Sequence, residues 1–232
     1  MKKALGSLAV FRPQTLFSLL LTRFKYNPYR SICQECIPVK LEELIKKKRT
    51  IRAIGFDDAP FERQGNAAVP LAGVVCAGTR FEGMVWGKVR RDGTDATDTI
   101  CELVTDSKFA PQLHLVLLDG LGFGGFNLID LPQLADRLQL PCVAVMRRPP
   151  NLEKMQQALT RLPDTPQRLE LLQRAGTIHA HPPFFFQVCG EEAQIVAMAL
   201  ERLTDCGKVP EALRLAHLIG AAVVKGVSGN RA

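Results

Sequence analysis

Residues 51–91, IRAIGFDDAPFERQGNAAVPLAGVVCAGTRFEGMVWGKVRR, decide the fold. They contain three apolar runs, Ile51–Asp57, Ala68–Ala77 and Phe81–Arg91, with no helical pattern between them. Gly78-Thr79-Arg80 joins the last two and is short enough for a hairpin. Three strands joined without helices imply an antiparallel meander.

Downstream the pattern changes. Thr94–Ser107 (TDATDTICELVTDS) reads as a helix, with Thr94, Asp95 and Asp98 in its first turn to satisfy free N–H groups and the positive dipole end. Leu113–Asp119 (LHLVLLD) reads as a strand buried on both faces. A glycine-rich loop, a helix near Leu131–Gln139 and the strand Pro141–Met146 follow. Beyond Pro149-Pro150 the chain is mostly helical, with one more strand at Phe184–Val188 and helices over Glu191–Leu203 and Pro210–Lys225. Strands alternating with helices imply parallel neighbours joined by right-handed crossovers. The fold class is therefore α/β with a mixed sheet, three antiparallel strands followed by parallel strands, flanked by helices. That is the ribonuclease-H-like plan, whereas a purely doubly wound sheet would not begin with three adjacent strands.

The 232 residues carry a net charge of +7, unevenly placed. Residues 1–52 hold twelve Lys or Arg against three acids, and the rest hold eighteen against twenty. The expected division is a basic extension over residues 1–49 and a catalytic domain over 50–232. Residues 41–49 (LEELIKKKR) form a short charged helix leading into that domain. Basicity confined to one end is weak evidence for nucleic-acid binding by the body. The first 34 residues lack acids, as transit peptides do, but an extension fits them better. The seven cysteines lie at 33, 36, 76, 101, 142, 189 and 206 and read as reduced and cytosolic; Cys33-x-x-Cys36 is half a zinc site without a second pair. No apolar run approaches the ~20 residues that span a bilayer, so the expected location is cytoplasmic.

Three aspartates stand where apolar elements end or begin. Asp57 closes the first strand, Asp95 opens the first helix and Asp119 closes the fourth strand. A carboxylate at the end of a buried strand is costly unless it is paired or binds a metal. Hard oxygen ligands suit Mg²⁺ or Mn²⁺, which activates water and polarises a phosphodiester. Asp95 also reads as a simple helix-start residue, and Asp58 as a substitute for Asp57 on the other side of the strand. His217, one turn after Arg214 on the last helix, is placed to orient water or protonate a leaving oxygen, and also reads as a packed surface histidine.

Gly120-Leu121-Gly122-Phe123-Gly124-Gly125 matches the dinucleotide pattern G-x-G-x-x-G. Three features argue against a nicotinamide cofactor. Asp119 would repel a pyrophosphate, the next helix begins too late, and the strand follows a meander. The preferred reading lets Gly120 and Gly122 admit a nucleic-acid backbone close to Asp119, with Arg147 at the next strand end contacting phosphate.

Five blocks, IGFDDAPF (54–61), DGTDAT (92–97), LLDGLGFGGFNLIDL (117–131), PCVAVMRRPP (141–150) and PEALRLAHLIGAAVVKGVSG (210–229), resemble the endonuclease dU family, a relative of endonuclease V. The layout is also similar to endonuclease V itself at Gly55-Phe56-Asp57, Asp95, Asp119-Gly120-Leu121-Gly122, Arg147 and His217. The resemblance implies a Mg²⁺-dependent endonuclease that cuts DNA near a deaminated base such as uracil, with deaminated or single-stranded DNA as partner. The alternative is a non-catalytic nucleic-acid-binding module on the same scaffold. Two departures stand out: the helix-opening acid is aspartate rather than glutamate, and no counterpart of the endonuclease V Pro-Tyr wedge is visible.

Overall fold

A computed structural model describes residues 40–61 and 68–229. The expectations for residues 1–39, including Cys33 and Cys36, lie outside the described residues. The elements in order are α1 (Leu41–Lys46), β1 (Arg52–Asp58), β2 (Ala68–Ala77), β3 (Arg80–Arg90), α2 (Ala96–Thr105), β4 (Leu115–Asp119), β5 (Gly122–Phe123), β6 (Asn127–Leu128), α3 (Leu131–Leu138), β7 (Cys142–Met146), α4 (Leu152–Leu159), α5 (Thr165–Arg174), β8 (His179–His181), β9 (Phe184–Cys189), α6 (Ala193–Arg202) and α7 (Glu211–Lys225).

The main sheet has seven strands in the order β3-β2-β1-β4-β7-β9-β8. The meander is present, with β1, β2 and β3 antiparallel. Ala77 pairs with Arg80, so Gly78 and Thr79 form a two-residue turn in which Gly78 takes φ 62°. β1, β4 and β7 are parallel. The far edge turns antiparallel again through β9 and the short β8, a strand whose half-exposed HAH sequence carries no apolar signal. The glycine loop is a small ribbon, β5 against β6, rather than a bare turn.

Alternation along the buried strands divides the core in two. Ile54, Phe56, Val116, Leu118 and Ala144 face α2 and α3, meeting Ile100, Val104, Leu131 and Leu134. Ala53, Leu115, Leu117, Val143 and Val145 face the other way, towards α1, α6 and α7. In α2 the buried Ala96, Ile100, Cys101 and Val104 recur at helical spacing, which makes one apolar stripe. α1 buries Leu41 and Leu44 in the second layer, and Arg202 of α6 donates to the Leu44 and Arg49 carbonyls. Two leucines in this charged helix are enough to anchor α1 in that layer.

α7 lies directly on β1. A Cβ on Gly55 would come within 2.7 Å of the Ala212 carbonyl carbon and 2.8 Å of the Leu213 nitrogen. A Cβ on Gly220 would come within 3.2 Å of the Ala59 Cα. The helix therefore runs along the strand towards the end that carries Asp57, and it ends at Gly226 with φ 77°. No described helix is long and apolar enough to cross a membrane.

Candidate active site

Asp57 and Asp119 come from different parallel strands. Phe56 pairs with Leu118, so the next step in the register sets Asp57 beside Asp119. Both continue the alternation of Ala53, Leu115 and Leu117, and so face α7. From α7, His217 Nδ1 lies 2.8 Å from Asp57 Oδ2. Asp57 is 5 % exposed, and this bond raises the histidine pKa above its usual value. Asp119 is pushed up to about 6, first by burial and then by the charge of Asp57, against the opposing pull of Arg147 and His217.

Arg147 follows β7 by one residue, beyond the Val145 that pairs with Asp119. Its Nη2 lies 3.7 Å from Asp119 Oδ2, and its Nε is buried with no hydrogen-bond partner among the described residues. Asp119, Gly120, Val145, Met146, Arg147 and Arg148 line an open groove of about 480 Å³. Gly120 takes φ 82°, and nothing stands within 4 Å of where its Cβ would be. Gly122 has a different task, since its Cβ would strike the Gly125 carbonyl at 2.6 Å.

Asp58 points to the opposite face and accepts the Gly124 N–H at 2.6 Å. Burial, then Asp57, pushes its pKa up to about 6, while the Gly124 bond works against that rise. It does not replace Asp57 on the α7 side; it grips the glycine ribbon.

Asp95 is not brought to the pair. It stands at the start of α2, on the side of the sheet away from α7, and its Oδ1 accepts from Asn127 Nδ2 at 2.6 Å and from the Arg90 N–H at 3.2 Å. Burial works to raise its pKa, but these bonds outweigh it and the net direction is down. The helix-start reading thus describes its surroundings, and no described contact ties it to Asp57 or Asp119. Among the described residues, no cluster of three or more His, Cys, Asp or Glu is arranged to hold a metal ion.

Two residues that sequence reasoning passed over frame the glycine ribbon. Asp92 donates its N–H to the Gly124 carbonyl and accepts the Phe126 N–H on Oδ1, both at 2.9 Å. The Asp92-Gly93 pair is a turn signal that foreshadows this. Arg168 of α5 is 3 % exposed and donates to the carbonyls of Pro163, Gly93, Phe126 and Asp92. An arginine in a polar helix gives no sequence signal of such burial. The dinucleotide reading finds no free helix terminus after the ribbon, because Asp130 already accepts the Gln133 N–H at the start of α3.

Residues 49–224 match the family described as Endonuclease dU. The chain belongs to the endonuclease dU family. Two relatives, each named a UPF0215 protein, come from Methanothermobacter thermautotrophicus and Deinococcus radiodurans. The first is 39% identical over 186 residues, covering 78% of this chain and 91% of the relative. The second is 39% identical over 184 residues, covering 79% and 94%. A crystal structure of a protein of unknown function from Archaeoglobus fulgidus matches with a TM-score of 0.72 at 31% identity, over 76% of this chain and 99% of that one. Endonuclease V from Ciona intestinalis, crystallised with DNA containing an inosine, matches with a TM-score of 0.50 at 15% identity, over 80% and 95%. This endonuclease dU family member thus has the ribonuclease-H-like fold of endonuclease V.

Proposed function

We propose that the chain is a Mg²⁺- or Mn²⁺-dependent endonuclease that hydrolyses DNA phosphodiester bonds near a deaminated base such as uracil. The observation that carries this reading is the placement of Asp57 and Asp119 on one sheet face, one step past the Phe56–Leu118 pair, with His217 bonded to Asp57. The family and the endonuclease V fold support it.

The donor set suits a hard cation. Two carboxylates side by side, one pushed up to about 6 by burial and by its neighbour, are relieved by a divalent ion. Asp57 and Asp119 would hold it, leaving the remaining positions to water and phosphate, as Mg²⁺ prefers. When bound, it would polarise the phosphodiester and lower the pKa of an attacking water. Asp57 holds His217 through Nδ1, so Nε2 is the nitrogen left to move a proton. Arg147 lines the groove beside Asp119, where its guanidinium would contact a phosphate oxygen, and Gly120 gives a backbone room to approach. Asp95 takes no ligand role in this scheme and holds the corner between β3 and α2.

The full chain incubated with a uracil-containing DNA strand should nick it in Mg²⁺ or Mn²⁺ and stop in EDTA. Salt-sensitive binding with no nicking in either metal would instead support the non-catalytic module. The roles of the acids separate in a second assay. Asp95→Asn should lose about 1–2 kcal/mol of stability by chemical denaturation while nicking stays within a few-fold of wild type. A collapse of nicking in a stable Asp95→Asn protein would put Asp95 back among the ligands.

A further inference from the structure

Trp86 and Lys88 stand on the same sheet face as the carboxylate pair. Asp57 pairs with Ala72, and Ala72 pairs with Trp86, so Trp86 lies in the row of Asp57 two strands away. At ~4.8 Å per strand that is about 10 Å. Trp86 packs with Met84, Leu215 and Ile219 over Ala72, Ala212 and Ala216, yet it is only half-buried. Val223, one turn beyond Ile219 on α7, is 62 % exposed and prolongs this apolar seam along the helix. Lys88, two residues past Trp86 on the same face, is exposed and has no ion-pair partner among the described residues. Lys225 is exposed at the end of α7. A half-open indole flanked by aliphatic side chains, with cationic groups at the rim, complements a nucleic-acid strand, whose bases are flat and apolar and whose phosphates are negative.

We infer that the seam between β3 and α7 binds single-stranded DNA, with a base a nucleotide or two from the cut stacked on Trp86 and a neighbouring phosphate beside Lys88. The inference rests on the nuclease reading for its direction, since it supposes that the same strand continues to Asp57 and Asp119. It gives the site a hold on the substrate that is indifferent to base identity, because every base presents a π-face. The groove at Asp119 and Gly120 is then left to read the lesion.

Trp86 is the chain's only tryptophan, so its fluorescence reports on this seam alone. The experiment titrates a short single-stranded DNA oligonucleotide into the full chain in EDTA, following both intrinsic fluorescence and the anisotropy of a labelled oligonucleotide. The expected result is saturable quenching with the same midpoint as the anisotropy change. Trp86→Ala should weaken binding by about 5- to 100-fold, with Trp86→Phe restoring most of it. Because Trp86→Ala loses packing as well, Lys88→Gln on the exposed rim is the second variant; it should lower the slope of affinity against salt by about 1 on logarithmic axes. Binding without quenching, together with an unchanged Lys88→Gln salt slope, overturns the seam and leaves the nuclease reading in place. Absence of any oligonucleotide binding, with no nicking in Mg²⁺ or Mn²⁺, overturns both.

Discussion

Asp119→Asn is expected to slow metal-dependent nicking by about 10²–10³-fold while making the metal-free protein more stable. The first effect follows from losing one of two carboxylates that gather the cation. A bound ion supplies several kcal/mol of charge stabilisation to the transition state, and each ~1.4 kcal/mol is tenfold in rate. The second follows from the pKa of about 6, set by burial and by Asp57. Between about pH 4 and 6 the folded protein still binds a proton that the unfolded chain has released. Without metal, stability is therefore full below the ordinary aspartate range and falls as pH rises through about 6. Asp119→Asn removes its share of that fall, while Asp58, also near 6, keeps its own. In wild type a divalent cation should restore stability above pH 6, where both ligands are ionised. Thermal melts at several pH values, with and without Mg²⁺, read all of this. Unchanged nicking in a folded Asp119→Asn protein would remove the residue from the chemistry.

Gly55→Ala is expected to damage both stability and the site. The added Cβ meets backbone atoms of Ala212 and Leu213 at 2.7–2.8 Å, and a helix backbone cannot step aside alone. Overpacking of this kind costs about 1–3 kcal/mol, or a fall in melting temperature of roughly 2–12 °C for a domain this size. The consequence reaches the site, because the helix that must shift carries His217. Nicking should fall more than stability at permissive temperature, and the pH profile should lose the limb that His217 contributes. A melting temperature and pH profile equal to wild type would show that α7 and β1 are less tightly coupled than the contact distances indicate.

The parts of this molecule that were legible in the sequence are those where burial and period agree. Ile54, Phe56, Leu115 and Leu117 are all fully buried in strands whose apolar character is continuous, so both strands and the aspartates ending them could be placed. Glycine signals located the hairpin at Gly78 and a loop after Asp119, though not that loop's pairing as a ribbon. Direction was harder to read. Asp95 has the residue type and the position expected of a ligand, but which side of the sheet α2 packs on depends on tertiary pairing, and that choice carries Asp95 to Asn127 and Arg90. The same holds for Asp58, whose partner is a backbone N–H 66 residues away. Arg168 was invisible because its partners are four carbonyls, which leave no trace in residue type. β8 was invisible because a half-exposed edge strand of three residues needs no apolar pattern.

The shared hold of Asp57 and Asp119 on a cation is tested most directly by Mn²⁺ binding, measured by titration calorimetry on the full chain and on Asp57→Asn and Asp119→Asn. Wild type should bind Mn²⁺, and each variant should lose at least about tenfold in affinity, about 1.4 kcal/mol. Equal affinity across all three proteins would contradict a cation site at these two residues.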